Sequence, residues 1–202
     1  MTKDRYHHGD LRRALLDAAL HYIEANGLAA LSMRELARQA GVSPAAPFRH
    51  FESRTALLTA LAEEAMDGLV QSVDAALREA AQAGPLMQFR AVGVGFLRWA
   101  LAHPTHFLVI SSRAYIDFEK PTLRERNDRI RAAMEGYMRA AAEAGLLRAG
   151  DVGRTLVGGR ALVYGIARMA LDGQFPSWGL DARNPLDEAT AILDQYIAAI
   201  AA

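Results

Sequence analysis

The chain has 202 residues, of which 51% are hydrophobic, and its 23 basic and 23 acidic side chains cancel. This composition is typical of a globular protein and excludes one that binds nucleic acid through overall charge. The absence of cysteine excludes disulfides, thiolate metal ligands and cysteine nucleophiles, and it favours a cytoplasmic location. The polar start has no signal-peptide core, and no apolar run of about 18 residues is present, so we expect no membrane association.

Apolar residues recur at helical spacing along the whole chain, and no strand pattern is evident. Caps, glycines and prolines mark where the helices begin and end. The sequence therefore predicts an all-α fold of about nine helices, near residues 10–25, 33–40, 44–50, 54–82, 86–103, 105–112, 121–145, 152–172 and 185–202.

The densest local signals lie in residues 31–51, which we call the motif. Ser32 and Glu35 have the S-x-x-E spacing of a capping box, in which the serine caps the helix and the glutamate reaches back. Gly41 suits a sharp turn because glycine tolerates positive φ. Ser43 and Pro44 are typical of an N-cap followed by the first helical residue. The motif is therefore predicted to be a helix-turn-helix.

The motif resembles the DNA-binding domain of the tetracycline-repressor (TetR) family of bacterial regulators. The matching residues are Leu31–Ala37, Ala40–Ser43, Arg49–Phe51, Ser53, Arg54, Leu57 and Leu58. The resemblance implies a helix-turn-helix domain in residues 1–55 and a helical-bundle domain for effector binding and dimerisation in residues 56–202. It further implies a ligand-responsive repressor that binds a palindromic double-stranded DNA operator as a homodimer, with an unidentified small-molecule effector and no cofactor. Whether the protein represses or activates stays open.

Ten residues are candidates for DNA contact by this resemblance. Arg49 is the candidate for hydrogen bonding to base edges, since the neighbouring Pro44 to Ala46 side chains can make apolar contacts only. The helix N-termini at Ser32 and Ser43 are suited to bind phosphate groups. His50 and Arg54 are candidates for further phosphate contacts, which position a protein on DNA without reading its sequence. Lys3 and Arg5 lie on a predicted flexible arm. The full set is Ser32, Arg34, Ser43, Pro44, Ala45, Ala46, Phe48, Arg49, His50 and Arg54.

Two residues depart from the family pattern. Phe48 stands where the family most often has tyrosine, so a phenolic hydroxyl is lost. Pro47 lies within the predicted recognition helix, where it removes a backbone donor and tightens the first turn.

Large apolar and aromatic residues between positions 86 and 172 are candidates for an effector pocket, although such a stripe also suits an ordinary core. Arg160, Tyr164 and Arg168 share one helix face and could line a pocket, pair with acidic residues or lie at a dimer interface. The pocket set is Phe96, Trp99, Phe107, Tyr115, Met134, Tyr137, Met138, Tyr164 and Arg168. The final two helices are expected to form the dimer, through Leu156, Val163, Ala167, Ile192, Tyr196 and Ile200.

Other chemistry has weak support. His103 and His106 have no nearby carboxylate or further histidine, so we expect no metal site. No nucleophile–base arrangement stands out, so we expect no catalytic residues and no enzyme. The alternative is a helical small-molecule-binding or enzymatic protein without DNA-binding activity. Salt-dependent DNA binding distinguishes the two.

Overall fold

A computed structural model describes residues 11–202. These residues form eight α-helices and four short 3₁₀-helices, and they contain no strand. The predicted all-α fold is confirmed, and the predicted arm with Lys3 and Arg5 lies outside the described residues. The α-helices are α1 (Leu11–Asn26), α2 (Met33–Gln39), α3 (Arg54–Glu79), α4 (Pro85–Ala102), α5 (Pro104–Ser111), α6 (Pro121–Glu143), α7 (Val152–Leu171) and α8 (Pro185–Ile200). The 3₁₀-helices are Leu28–Ala30, Pro47–Arg49, Arg113–Tyr115 and Phe175–Trp178.

The predicted helix boundaries agree with the structure to within about three residues, except in one place. The helix expected at 44–50 is a turn followed by the 3₁₀-helix Pro47–Arg49. Because Pro47 has no N–H, it cannot donate the i→i−4 bond to Ser43 that an α-helix requires.

The chain divides into two compact units. The first unit contains the chain up to Ala65 together with Thr105–Leu123. The second unit contains Met66–Pro104 and Arg124–Ala202. The functional boundary predicted at residue 55 stays a prediction.

In the first unit, α1 packs against α2 and the Leu28–Ala30 turn. The core contains Leu15, Leu16, Ile23, Leu36, Leu57, Leu58 and Leu61, all almost completely buried. Apolar burial of this kind is the main stabilising contribution to a helical unit, and it fixes the positions of the helices on which the motif depends.

In the second unit, α4, α7 and α8 pack on one another, and glycines allow the closest approaches. A Cβ added at Gly95 would lie 2.7 Å from the Cα of Val73, and the Ser72 hydroxyl donates a 2.8 Å hydrogen bond to the Gly95 carbonyl. At Gly159 an added Cβ would meet the rings of Tyr196 and Phe89 at about 3.0–3.1 Å. These positions therefore require glycine because neighbouring helices occupy the space of a side chain.

The predicted dimer residues need a correction. Leu156, Val163 and Ala167 are buried inside the chain, so their side chains are not available to a partner. Tyr196 is half-buried, donates its hydroxyl hydrogen to the Thr155 carbonyl, and has its pKa raised by burial. The physical reason is that α4 packs against both α7 and α8, so the most apolar face of these helices is used within the subunit.

Ion pairs connect different helices of the second unit. Arg90 of α4 pairs with Asp194 of α8, and Arg98 of α4 pairs with Glu79 of α3 at 2.9 Å. Arg129 of α6 binds Asp74 of α3, also at 2.9 Å. These pairs are partly exposed and therefore contribute little stability individually. Within residues 11–202, no helix combines the length and apolarity needed to cross a membrane.

Candidate nucleic-acid interface

The first helix of the motif begins at Ser32, as predicted. Its hydroxyl oxygen accepts a 3.2 Å hydrogen bond from the Glu35 amide, which satisfies one free N–H of the first turn of α2. The capping box predicted that the Glu35 carboxylate would also reach back to Ser32, and this part of the prediction is wrong. The carboxylate instead accepts hydrogen bonds from Arg38 at 3.0 Å and from Gln39 at 3.4 Å. Arg38 lowers the pKa of Glu35 by hydrogen bonding to its charged form.

The turn after α2 is set by Gly41. Its φ of +65° lies in the left-handed region that favours glycine. The Gly41 amide donates to the Arg38 carbonyl at 3.2 Å, and the Val42 amide donates to the Ala37 carbonyl at 3.0 Å. This pair of bonds is a Schellman motif, which ends a helix by satisfying its last carbonyl groups.

The second half of the motif, residues 43–50, is held by i→i−3 hydrogen bonds, and we call it the reading turn. Ala46 donates to the Ser43 carbonyl at 2.9 Å, Arg49 to Ala46 at 3.2 Å and His50 to Pro47 at 3.1 Å. Ser43 thus contributes its carbonyl, and the predicted cap through its hydroxyl is wrong because no α-helix follows it. Pro47 is buried and anchors the turn.

The structure exposes most of the residues predicted to contact DNA. Ala46 and Arg54 are half-buried. The exposed members are Ser32, Arg34, Ser43, Pro44, Ala45, Phe48, Arg49 and His50. Eight of the ten predicted residues are therefore accessible at the surface of the motif, and their contact with DNA stays a prediction.

Cations in this unit differ in whether they have partners within the chain. Arg13 binds Asp17 and Glu64, and Arg38 binds Glu35. By contrast, Arg34 and Arg49 form no side-chain hydrogen bond or ion pair with any residue in 11–202. Two exposed guanidinium groups in the motif are thus free to bind an external anion.

Arg54 is directed into its own unit. Its Nη2 donates to the Leu28 carbonyl at 2.6 Å, and its guanidinium lies 4.8 Å from the centre of the Tyr115 ring. Its Nε is buried without a hydrogen-bond partner. Both groups that hold Arg54 are protein groups, so this geometry favours a positioning role over the phosphate contact predicted from the sequence.

Sequence analysis missed the contacts that residues 115–122 make with α3. Thr59, a buried polar side chain, accepts a 2.9 Å hydrogen bond from the Asp117 amide. Glu63 binds Lys120 at 2.9 Å and also accepts a hydrogen bond from Thr122. Thr59 and Glu63 are four residues apart and so lie on one face of α3, and this spacing was the available signal.

The predicted pocket residues are divided between the two units, and their place in an effector pocket stays a prediction. Phe107 and Tyr115 belong to the first unit and the others to the second. Trp99, Phe107 and Met138 are buried, whereas Tyr164 is exposed. Met138 lines a cavity of about 320 Å³ between α6 and α7 together with Leu156. Within the described residues, no three histidine or acidic side chains are arranged to hold a metal ion.

Known protein families match both parts of the chain. The sequence model for bacterial regulatory proteins of the tetR family matches residues 15–61. The model for the tetracyclin repressor-like C-terminal domain matches residues 89–194, which is more than half of the chain.

Individual relatives agree with these matches. The HTH-type transcriptional regulator BetI of Rhizobium meliloti is 43% identical over 70 residues, which are 35% of this chain and 34% of BetI. The nucleoid occlusion factor SlmA of Vibrio vulnificus is 30% identical over 129 residues, which are 63% of this chain and 64% of SlmA. The alignments therefore span about a third of BetI and slightly less than two thirds of SlmA.

Solved structures match nearly the whole chain. A protein of unknown function from Rhodococcus sp. RHA1 has 32% identity and a TM-score of 0.76, with 99% of this chain and 100% of that chain covered. The TetR family transcriptional regulator PfmR from Thermus thermophilus has 22% identity and a TM-score of 0.72, covering 91% and 97% of the two chains, and shows the shared fold alone. With both family models matched, this chain belongs to the TetR family of bacterial regulatory proteins.

Proposed function

We propose that the protein is a DNA-binding transcriptional regulator that acts as a homodimer on a palindromic operator and represses transcription until an effector binds. The observation that carries this proposal is that Arg34 and Arg49 are exposed in the motif without a partner in the described chain. Phosphate and guanine both accept hydrogen bonds from guanidinium groups, so these two side chains suit a DNA surface. The family membership of the chain adds independent support.

The homodimer is proposed to form through the exposed face of α7. The side chain of Val157 is 62% exposed and that of Tyr164 is 43% exposed, an unusual amount for large apolar groups. Arg160 and Ala161 lie on the same exposed side of the helix. A two-fold dimer would cover this face with its own copy and would present two motifs to DNA. To bind half-sites that are one helical turn of DNA apart, the two motifs of the dimer would have to lie about 34–36 Å from each other.

The effector is proposed to be a small molecule bound in the second unit. The cavity between α6 and α7 has an apolar floor of Met138 and Leu156 and a charged rim that includes Glu135 and Arg139. Such a mixture suits a ligand with an apolar body and a few polar groups. We expect the protein to act in the cytoplasm, where bacterial DNA is available, and to catalyse no reaction.

Selection of bound duplexes from a random DNA pool tests the proposal. The purified full chain should enrich a palindromic sequence, while the double variant Arg34→Ala/Arg49→Ala should enrich none. The matched control is Arg98→Ala, which removes an arginine that pairs with Glu79 in the second unit. If the unmodified chain enriches no sequence, the alternative of a helical small-molecule-binding or enzymatic protein without DNA-binding activity is favoured.

A further inference from the structure

The reading turn arranges its side chains differently from an α-helix. Its i→i−3 hydrogen bonds, among them Arg49 to Ala46 and His50 to Pro47, wind it more tightly than an α-helix. Within it, Pro44, Ala45 and Phe48 are exposed, whereas Ala46 is half-buried and Pro47 is buried.

Three side chains of the reading turn, Pro44, Ala45 and Phe48, are exposed and apolar, and we call this set the apolar ridge. Phe48 is 52% exposed, and Ala45 and the adjacent Pro44 are also exposed. None of these three side chains can donate or accept a hydrogen bond, and Pro44 also lacks a backbone N–H. Pro47 is buried, so the turn is fixed on its inner side while its apolar ridge faces outward.

Charge next to the ridge indicates what covers it. Arg49 follows Phe48 directly, and Arg34 and His50 are also exposed in the motif. Phosphate groups would be attracted to the two arginines, whereas an apolar protein partner would have to bury their charges. A polyanion with an apolar feature at the right depth therefore fits this surface best.

In the major groove, the thymine 5-methyl group is the apolar feature among the hydrogen-bonding groups of the base edges. We infer that the apolar ridge reads thymine methyl groups, and that Phe48 is a specificity-determining residue and not merely a tyrosine without its hydroxyl. This inference rests on the proposed function and specifies its partner as an operator with thymines opposite the ridge in each half-site.

The test uses the operator obtained by random-pool selection, with each thymine replaced in turn by deoxyuridine. This replacement removes one methyl group and leaves all hydrogen-bonding groups in place. At one or two thymines in each half-site, binding should weaken roughly fourfold for each methyl group removed. This is the effect expected when the burial of one methyl-sized apolar group is lost. At other thymines the replacement should have no effect.

The matched protein variants are Phe48→Ala and Phe48→Tyr. Because Phe48 is largely exposed, both variants should keep the unfolding temperature of the unmodified chain. Phe48→Ala should bind the thymine and deoxyuridine operators equally, whereas Phe48→Tyr, which retains the ring, should keep the preference.

Two results would overturn the inference while leaving DNA binding intact. One is salt-dependent operator binding that no deoxyuridine replacement weakens. The other is a deoxyuridine effect that persists unchanged in Phe48→Ala and in Ala45→Gly. Failure to bind any duplex would instead contradict the proposed function itself, so the two failures are distinguishable.

Discussion

In the second unit, Arg90, Arg98 and Arg129 each hold a carboxylate on another helix, whereas Arg34 and Arg49 in the motif hold none within the described chain. The same residue type therefore has two uses in one protein. Paired arginines connect helices and are electrostatically satisfied within the chain. Unpaired arginines keep their hydrogen-bonding capacity for an external partner. The net charge of the chain is zero and gives no indication of DNA binding. The positions and partners of individual arginines are the more informative observation.

The largest effect is expected where the second unit is proposed to meet its own copy. Val157→Glu places a charge on an exposed apolar position of α7 and should shift the protein to monomer. Operator affinity should then fall by about 100- to 10,000-fold, since the second half-site no longer adds to the first. Light scattering and operator titration measure the two effects. Met87→Glu is the matched control, because Met87 is also exposed and lies on α4. An unmodified chain that is monomeric at micromolar concentration would contradict the dimer.

Packing in the second unit gives the next effect. Gly95→Ala should destabilise the protein by about 1–3 kcal/mol, because the new methyl group would overlap the α3 backbone at Val73 and Ser72. Gly136→Ala is the control: nothing lies within 4 Å of its added Cβ, so it should leave stability unchanged or raise it. Urea unfolding followed by circular dichroism measures both. Equal stability of the two variants would disprove the close approach of α3 and α4.

For the motif, Arg49→Ala should reduce discrimination between operator and random DNA by about 1–3 kcal/mol if Arg49 binds a guanine edge with two hydrogen bonds. Few other donors are available, because Pro44, Ala45 and Phe48 have none in their side chains. Titrations on both duplexes provide the measurement. An equal loss on the two duplexes would identify Arg49 as a phosphate contact.

A substitution of Arg54 tests whether this arginine, which lies just after the motif, holds protein groups or contacts DNA. Arg54→Ala should lower stability by about 1–2 kcal/mol, because it removes a charged hydrogen bond to Leu28 and the stacking on Tyr115. The salt dependence of DNA binding should stay unchanged. A slope reduced by about one unit would instead support the phosphate clamp predicted from the sequence.

The smallest effect concerns a paired carboxylate. Arg90 lowers the pKa of Asp194 by hydrogen bonding to its charged form. The pair therefore stabilises the native state above the ordinary aspartate pKa, and this contribution is lost as the pH falls through the native pKa. Because the pair is partly exposed, its contribution should be below about 1 kcal/mol.

Asp194→Asn should remove this contribution at about pH 7 and have a smaller effect at about pH 3, which lies below the ordinary aspartate pKa. Urea unfolding at both pH values measures the difference. A loss of stability that is the same at both would show that packing, and not charge, explains the effect of the substitution.

Features of the fold that depend only on residues close together in the sequence could be predicted from it. The cap at Ser32 and the turn at Gly41 follow from side-chain and backbone preferences that act over three or four positions. The effect of Pro47 was predicted only in part: a tightened first turn was expected within a helix, whereas the structure has a turn followed by a short 3₁₀-helix.

Contacts between distant parts of the chain could not be predicted in the same way. Leu156 and Val163 have the periodicity of an interface and of a core alike, and the packing of α4 decides between them. Likewise, the partners of Arg54 are 26 and 61 positions away along the chain, at Leu28 and Tyr115. Periodicity identifies an apolar face without identifying what covers it.

The central claim is that Arg34 and Arg49, which have no partner within residues 11–202, bind DNA. The most direct test is operator affinity measured against salt concentration for the unmodified chain, Arg34→Ala, Arg49→Ala and the paired control Arg98→Ala. We predict a linear fall of log affinity with log salt and an unchanged slope for Arg98→Ala. In each motif variant the slope should be smaller by about one unit for every phosphate that the variant no longer neutralises. Affinity independent of salt, or operator affinities of Arg34→Ala and Arg49→Ala that equal that of Arg98→Ala, would contradict the claim.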